Sequence, residues 1–429
     1  MTDGTACWQQ GAALPNSLQP SLQTATDAGV IVIGAGYTGL STALHGREAG
    51  LDVCVLEART PGYGASGRNA GQWLPGWVGR TPSQVEARHG TAAGARLNAF
   101  NVEASRLVPA LMRQHCIAAN LSLSGVLQVA SDAKGVQRLH TLAAEWRTRG
   151  ASVTALDRRG VQEHVITDRY AGGILFHDAG CLDPLAYARG LAGAAARCGA
   201  RIYCDSTALT VKPVGREWEV RTSSSRVRAR HVVIATDAFV NPGLWPGLER
   251  SFWRLPIPML RSTILPGEGR DFLPRGTPFA EMRPGGLLFG GMLDRSGRWI
   301  ASTAPYFWSA DRDTLGAWSL RRFRQVFPQV APFQWESLWW GTVGISRDAL
   351  PRVYALAEGV YAVNGYSGGG IALATGLGRA IARMLATGDE HELPIAPQAL
   401  DAVPLRRLVP ASLRGVVVPL ARCVDTLRD

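Results

Sequence analysis

A glycine-rich turn near the start of the chain has the residue types and spacing of a phosphate-binding turn. Gly34, Gly36 and Gly39 follow the apolar run "VIVI", which predicts a strand, and open the helix-like segment "LSTALHGREAG". The first glycine permits the tight turn, the second lets a pyrophosphate approach the backbone, and the third lets helix and strand pack closely. A phosphate there meets free N–H groups and the positive end of the helix dipole. The next strand, "DVCVLE", ends in Glu57, whose carboxylate can accept hydrogen bonds from a ribose diol.

These features together predict a βαβ unit that binds an adenine dinucleotide with an unphosphorylated ribose. A tight turn without a ligand is the alternative, but such a turn does not require Glu57 at the end of the second strand. A second glycine-rich turn, "NGYSGGGIALATG", follows the apolar run "VYAV" far along the chain. Either the protein binds two phosphate-bearing ligands, or the two turns serve one ligand.

Composition limits the class of protein. The chain has 429 residues, 46% hydrophobic and 18% charged, which indicates a folded protein of two domains or one large domain. The formal net charge of +11 comes from scattered arginines, so we expect no nucleic-acid partner, and an anionic substrate or cofactor suits the charge as well. The seven cysteines form no CxxC pair, which predicts reduced thiols in a cytoplasmic protein.

No targeting or membrane-spanning segment is visible in the sequence. Residues 1–29 lack the basic and apolar regions of a secretory signal, and no apolar stretch approaches the roughly 20 residues that a bilayer span needs. Residues 401–429 are basic and partly apolar, but prolines interrupt them. We expect a packed tail there, with a peripheral contact to a membrane surface as the alternative.

The segment after the second strand decides between FAD and NAD. "RTPGYGASGRNAGQW" consists of small and polar residues, which predicts a loop instead of the next βα element of a nicotinamide dehydrogenase. At this point the sequence resembles the D-amino-acid oxidase superfamily of FAD enzymes, from about Val30 to Leu385. Within it the chain is most similar to the gamma-glutamylputrescine oxidase type, with glycine and sarcosine oxidases as relatives. The resemblance implies that both glycine turns serve one FAD.

The resemblance also implies three groups of FAD contacts. The first group surrounds the first turn and the end of the second strand: Gly34, Gly36, Tyr37, Thr38, Gly39, Glu57, Ala58 and Arg59. The second group belongs to the loop that follows: Gly64, Ala65, Ser66, Arg68, Asn69, Ala70 and Gly71. The third group comes from later segments: Ala208, Ala235, Gly341, Gly365, Gly368, Gly369, Gly370 and Ile371.

The implied fold is mixed α/β. A Rossmann-like FAD-binding domain of the glutathione-reductase type is interleaved with a substrate domain built on an antiparallel sheet. We expect an N-terminal arm, a discontinuous FAD-binding domain, a discontinuous substrate domain and a C-terminal tail. Their respective ranges are 1–29; 30–80, 180–245 and 341–400; 81–179 and 246–340; and 401–429.

The expected chemistry is oxidation of the C–N bond of an amine or amino-acid derivative. Hydride passes to flavin N5, the imine hydrolyses, and oxygen or another acceptor reoxidises the flavin. No local catalytic motif is visible, which suits flavin chemistry because the ring itself accepts the hydride. We take Tyr366, Trp340 and Arg68 as candidate catalytic residues. Trp73 and Trp339 join Trp340 and Tyr366 as candidates for an aromatic wall around an amine, and the alternative for Trp339 and Trp340 is a place in the sheet core.

Two familiar carboxylate anchors are missing by the same resemblance. Val343 stands where glycine oxidases have an arginine, and Ala372 where sarcosine oxidases have a lysine. Gly341 lies near the place of the flavin-linking cysteine of sarcosine oxidases, so we expect noncovalent FAD, and Gly369 replaces a histidine of many relatives. A bulky amine or one without a carboxylate is therefore the expected substrate. Four arginines could still replace the anchors: Arg68, Arg261, Arg283 and Arg347.

Two other functions stay open at this point. One is a membrane-linked amino-acid dehydrogenase that passes electrons to quinone. The other is a flavoprotein subunit that needs a partner for turnover. The sequence does not distinguish oxidase from dehydrogenase, because oxygen reactivity depends on access and charge close to the flavin.

Overall fold

The computed structural model describes residue 8 and residues 12–266, 271–282, 288–303 and 312–403. Arg283 and most of the expected C-terminal tail lie outside these residues. Within them the strands are β1 Thr26–Asp27, β2 Val30–Ile33, β3 Val53–Leu56, β4 Gln72–Trp73, β5 Val126–Ala130, β6 Val153–Asp157, β7 Gly172–Phe176, β8 Gly180–Cys181, β9 Arg201–Tyr203, β10 Thr210–Val214, β11 Glu217–Arg221, β12 Arg226–Ala229, β13 His231–Ile234, β14 Trp253–Ile264, β15 Phe279–Met282, β16 Leu288–Leu293, β17 Arg298–Thr303, β18 Trp335–Ile345, β19 Arg352–Ala357 and β20 Val360–Asn364. The helices are α1 Tyr37–Glu48, α2 Pro82–His89, α3 Thr91–Gln114, α4 Ala133–Arg147, α5 Arg158–Gln162, α6 Pro184–Arg197, α7 Arg312–Val326 and α8 Gly370–Thr387.

A six-stranded sheet carries the predicted βαβ unit. Its order is β19-β20-β13-β2-β3-β9, and every pair is parallel except β19 with β20. All four residues of β2 and all four of β3 are buried, as expected for parallel strands with both faces covered. Helices α1, α3, α6 and α8 supply buried residues to the core on one face. A four-stranded sheet, β1-β12-β11-β10, contributes to the core on the other.

The second large sheet has eight strands in the order β18-β14-β17-β16-β15-β5-β7-β6. Its pairs are antiparallel except β15 with β5. Aromatic residues of this sheet and of α7 pack together, including Phe279, Trp299 and Phe323. The strands come from residues 126–176 and 253–345, so two separate segments of chain build one sheet. The predicted combination of a Rossmann-like sheet with an interleaved antiparallel sheet is confirmed.

Helix α6 illustrates how local sequence fixes an element. Asp183 is its N-cap, and the carboxylate accepts hydrogen bonds from the N–H groups of Leu185 and Ala186, both at 3.0 Å. Pro184 occupies the first helical position, where its missing N–H leaves no helical bond unmade. None of the described helices is long and apolar enough to cross a membrane.

Candidate functional site

The three glycines of the first turn differ in what surrounds them. Two are in contact with backbone, and the third is in contact only with a side chain. Gly34 has a φ of +103°, and a Cβ on Gly39 would lie only 2.0 Å from the Gly34 carbonyl oxygen. Both positions therefore need glycine for the turn and for helix packing. A Cβ on Gly36 would meet only the Ser66 side chain, with its Oγ at 3.0 Å. Gly36 is therefore restricted by the Ser66 side chain alone, at a distance shorter than most Cβ contacts.

The start of α1 has the groups that an anionic ligand needs. Its N-cap, Gly36, makes no side-chain capping bond, so the first-turn N–H groups are not capped from within the turn. Tyr37 N–H donates to Ser66 Oγ at 3.1 Å, which ties the helix start to the following loop. The arrangement fits a pyrophosphate held by the helix N-terminus.

Glu57 closes the same turn from the end of β3. Its Oε2 accepts from the Ala35 N–H at 2.7 Å and its Oε1 from the Arg59 N–H at 2.9 Å. Burial raises the pKa of Glu57, and the backbone hydrogen bonds offset part of that rise. Each carboxylate oxygen keeps further acceptor capacity, so the side chain can also bind a ribose hydroxyl.

The loop of residues 64–71 is held by its own side chains. The Asn69 amide donates to the carbonyl oxygens of Ala65 at 3.1 Å and Ser66 at 2.9 Å, and its Oδ1 accepts from Gly71 N–H at 2.8 Å. A Cβ on Gly71 would lie 2.2 Å from the Leu182 carbonyl oxygen, so only glycine permits this contact. These bonds fix the backbone of the loop and with it the position of Arg68.

Arg68 is buried, with 3% of its surface exposed. Its guanidinium donates to the Tyr63 carbonyl oxygen at 2.9 Å and lies 5.1 Å from the centre of the Tyr63 ring. A longer contact of 3.5 Å reaches the Trp340 carbonyl oxygen on β18. A positive charge is therefore held where the loop meets the eight-stranded sheet.

Two indoles bind consecutive carbonyl oxygens of this loop. Trp339 Nε1 donates to the Arg68 carbonyl oxygen at 2.9 Å, and Trp8 Nε1 donates to that of Asn69 at 3.1 Å. Both indoles belong to one apolar cluster, which we call the sheet-face cluster: Trp8, Cys181, Leu185, Met259, Met292, Ile300 and Trp339. The cluster packs the loop against one face of the eight-stranded sheet.

Trp340, a candidate catalytic residue, lies on the face of that sheet opposite to the loop. Trp339 and Gly341 face the loop, since a Cβ on Gly341 would lie 3.5 Å from the Arg68 Cβ. Side chains alternate along a strand, so Trp340 points the other way and shares its face with Leu338, which packs in the core beside α7. Trp339 is the tryptophan of this pair that faces the loop.

Trp73, the other candidate for an aromatic wall, is part of the core. It is 3% exposed, and its Nε1 donates to the Ser105 carbonyl oxygen of α3 at 3.1 Å. These contacts therefore favour a place for Trp73 in the core.

The second glycine turn meets the first. Tyr366, within this turn, has its hydroxyl 2.5 Å from Thr38 Oγ1 in the first turn of α1. Ser41 Oγ donates to the Thr375 carbonyl oxygen at 2.6 Å, and a Cβ on Gly378 would lie 2.5 Å from the Thr38 carbonyl oxygen. Helices α1 and α8 thus pack in direct contact, with the first turn of α1 beside the middle of α8. Tyr366 connects the second glycine turn with the start of α1.

Tyr366 itself is only 9% exposed, and its hydroxyl is already hydrogen-bonded. Burial raises the pKa of the phenol well above its ordinary value, and the hydrogen bond with Thr38 lowers it only partly. Proton transfer by this phenol is therefore disfavoured near neutral pH. Its contacts suit a residue that joins the two turns.

Gly370 is a glycine that packing within the protein does not require. A Cβ there would meet nothing within 4 Å, and its φ is not positive. It begins α8, whose N-cap, Gly369, also makes no side-chain capping bond. Gly365 and Gly368, by contrast, have φ values of +79° and +102° and shape the turn. Open space therefore adjoins the N-terminus of α8 at Gly370.

The remaining predicted contacts lie around these elements. Ala58 and Arg59 are exposed after β3, Ala208 is buried near the same end of the sheet, and Ile371 is buried in α8. The Ala235 carbonyl oxygen would be 2.9 Å from a Cβ on Gly34. Gly64 adjoins the Phe239 ring, and Ala70 packs against the sheet-face cluster.

The possible substitute anchors differ in place. Arg261 lies near the C-terminal end of β14. Its Nε is 3.8 Å from Asp294 Oδ2 and 4.0 Å from Glu336 Oε2. Arg347 is exposed. Arg68 alone of the described three lies in the loop that contacts Gly341.

Two polar residues at this place were missed by sequence reasoning. Gln72 lies opposite Cys181 in the β4-β8 pair, so its side chain shares a face with the sheet-face cluster. Within the described chain its Nε2 is buried and has no hydrogen-bond partner, so it could donate to a ligand bound beside it. Asp237, just after β13, accepts from the Gly365 and Gly344 N–H groups. A signal for Gln72 existed in its position directly after the "SGRNAG" loop.

Comparison with known proteins agrees with this geometry. The family described as FAD dependent oxidoreductase matches residues 29–384. The chain is 27% identical over 387 residues to gamma-glutamylputrescine oxidoreductase of Escherichia coli, covering 90% of each chain. It is 28% identical over 406 residues to the probable oxidoreductase OrdL of Rhizobium meliloti, covering 91% of this chain and 90% of that one.

Solved structures share the fold. Glycine oxidase from Bacillus cereus superposes with a TM-score of 0.67 at 21% identity, over 88% of this chain and 99% of that one. L-amino acid deaminase from Proteus myxofaciens superposes with a TM-score of 0.71 at 16% identity, over 93% of this chain and 96% of that one. With the family match spanning residues 29–384, the chain belongs to the FAD dependent oxidoreductases related to D-amino-acid oxidase.

Proposed function

We propose that this protein oxidises the C–N bond of a bulky amine or an amine without an α-carboxylate to an imine, which water then hydrolyses. The observation that carries the proposal is the hydrogen bond of Tyr366 with Thr38, because it unites two glycine turns into one site. One FAD, bound without a covalent link, suits that site. Gamma-glutamylputrescine, named in the E. coli relative, is an amine of the proposed class.

Residues on three sides would hold the cofactor. The N-terminus of α1, with no side-chain cap from Gly36, suits the pyrophosphate, and Glu57 suits the adenosine ribose. The open N-terminus of α8 at Gly370 suits the electron-rich edge of the flavin. When bound, FAD supplies the acceptor for the hydride that leaves the carbon next to nitrogen.

The chain's own contribution is to orient the amine and exclude water. The sheet-face cluster, with two buried methionines, supports the 64–71 loop from behind and would help to exclude water from the site. The Gln72 amide provides a buried donor with no partner among the described residues. Arg68 supplies a buried positive charge beside β18, where negative charge that develops during reduction is stabilised.

Anaerobic mixing of the FAD-loaded protein with a panel of amines, α-amino acids and hydroxy acids tests the proposal. Gamma-glutamylated and alkyl amines are expected to bleach the flavin absorbance faster than any α-amino acid. Equal or faster bleaching by a plain α-amino acid would overturn the proposed substrate class. No bleaching by any compound would contradict turnover and favour a subunit that needs a partner.

Admission of oxygen to the reduced protein identifies the acceptor. Rapid return of the oxidised spectrum is expected of an oxidase. Slow return, with rapid oxidation by a soluble quinone analogue, would assign a dehydrogenase instead.

A further inference from the structure

Asp237 places a buried carboxylate where three elements meet. It follows β13, and its Oδ1 accepts from the Gly365 N–H at 2.9 Å while its Oδ2 accepts from the Gly344 N–H at 3.0 Å. Gly365 belongs to the second glycine turn, and Gly344 belongs to β18. One carboxylate thus binds the turn and the eight-stranded sheet at the same time.

The surroundings are shaped to admit this carboxylate. A Cβ on Gly344 would lie 2.5 Å from Asp237 Oδ1, so any side chain there would displace it. Gly365 has a φ of +79°, and Asp237 itself has a φ of +43°, a conformation that aspartate adopts more readily than most residues. Burial of a charged carboxylate is unfavourable unless hydrogen bonds compensate, and these backbone donors provide them. Three positions are therefore adapted to one contact.

The contact is continuous with the cofactor side of the second turn. Residue 366 follows Gly365 directly and is the tyrosine that bonds Thr38 at the start of α1. Ser367 N–H donates to the Gly344 carbonyl oxygen at 3.1 Å, so turn and strand are joined on both sides of Tyr366. Loss of the Asp237 hydrogen bonds would weaken the attachment to β18 of the turn that leads to Gly370.

We propose that Asp237 is a positioning residue that fixes the second glycine turn against β18 and thereby sets the affinity for FAD. The proposal rests on the proposed function, since it assumes that this turn binds the flavin edge. Asp237 acts through the backbone of Gly365 and Gly344 and does not touch the cofactor in this account.

The test compares Asp237→Gly and Asp237→Asn with the unaltered full-length protein. Glycine tolerates the positive φ but removes both acceptors, whereas asparagine keeps one acceptor. Asn120→Gly is the matched control, because Asn120 is exposed and has a φ of +50°. FAD dissociation constants are measured by visible absorbance, and amide hydrogen exchange is measured on the FAD-free protein.

Asp237→Gly is expected to raise the FAD dissociation constant about tenfold or more, with Asp237→Asn between it and the unaltered protein. Exchange should quicken at Gly344 and Gly365, while β2 and the control variant keep normal rates. Unaltered affinity and exchange in Asp237→Gly would overturn the proposal. Failure of the unaltered protein to bind FAD would instead contradict the proposed function, and the exchange data distinguish the two failures.

Discussion

Single glycines in this protein separate the demands of the fold from those of the cofactor. Gly39 must be glycine because a Cβ would collide with the Gly34 carbonyl oxygen at 2.0 Å. Gly370 has room for a Cβ and a φ that any residue can adopt. Packing within the protein explains the first glycine, and we propose that a ligand approaching the start of α8 explains the second.

Alanine at these two positions should therefore give opposite results. Gly39→Ala is expected to lower the free energy of unfolding by about 3 kcal/mol, since the clash is with backbone. Gly370→Ala should leave the melting temperature of the FAD-free protein unchanged but weaken FAD binding. Thermal melts and FAD titrations of both variants check this. Unchanged FAD affinity in Gly370→Ala would show that the cofactor does not approach this glycine.

Sequence reasoning identified residues whose role depends on local pattern and missed those whose role depends on distant contacts. Gly34, Gly36, Gly39 and Glu57 are recognisable because strand, turn and helix are consecutive. The face occupied by Trp340 depends on the register of β18 with β14, which no local signal gives. Asp237 contacts residues 107 and 128 positions away, so its role emerges only when the segments converge.

The elements around the 64–71 loop are joined by indole N–H groups. Trp339 on β18 and Trp8 in the N-terminal arm donate to adjacent carbonyl oxygens of the loop. Each bond crosses a long stretch of sequence, so strand and arm together hold a segment that is proposed to reach the flavin.

Trp339→Phe should remove one of these bonds while keeping an aromatic ring in the cluster. Loss of the donor leaves a buried carbonyl oxygen unpaired, which costs about 1–3 kcal/mol of stability and should also weaken FAD binding. Trp335→Phe is the matched control, because Trp335 Nε1 donates to the Gly316 carbonyl oxygen at 2.9 Å, away from the loop. Equal FAD affinity in the two variants would contradict a role of Trp339 in holding the loop.

Helix α1 contains a histidine, His45, that makes the stability of the folded protein depend on pH. Burial lowers the pKa of His45 to about 4, and this effect outweighs the hydrogen bond from its ring to the Ser41 carbonyl oxygen. The folded state therefore favours the neutral ring, so the contribution to stability is complete above the unfolded pKa near 6.5 and is lost as pH falls toward 4.

The expected loss is up to about 3 kcal/mol between these pH values. His45→Gln should flatten this part of the stability profile in denaturant titrations at successive pH values. His391→Gln, at an exposed position, should leave the profile as it is. An acid-dependent loss of the same size in His45→Gln would assign it to other groups.

At the scale of the whole molecule, the interleaved chain brings the two glycine turns and the eight-stranded sheet together. The six-stranded sheet and α1 come largely from the first part of the chain, while β20 and α8 return to them after the eight-stranded sheet is complete. Strand β18 runs through position 341, so a predicted boundary between the domains falls inside a strand. We propose that catalysis takes place where the loop of residues 64–71 and both glycine turns face this sheet.

The central claim is that both glycine turns hold one FAD. Titration of the FAD-free protein, with bound flavin counted per chain, tests it most directly when Gly36→Ala and Gly370→Ala are titrated alongside. One FAD per chain is expected, with affinity lowered by either substitution. Two FAD molecules per chain, or one whose affinity changes with only one of the two turns, would contradict it.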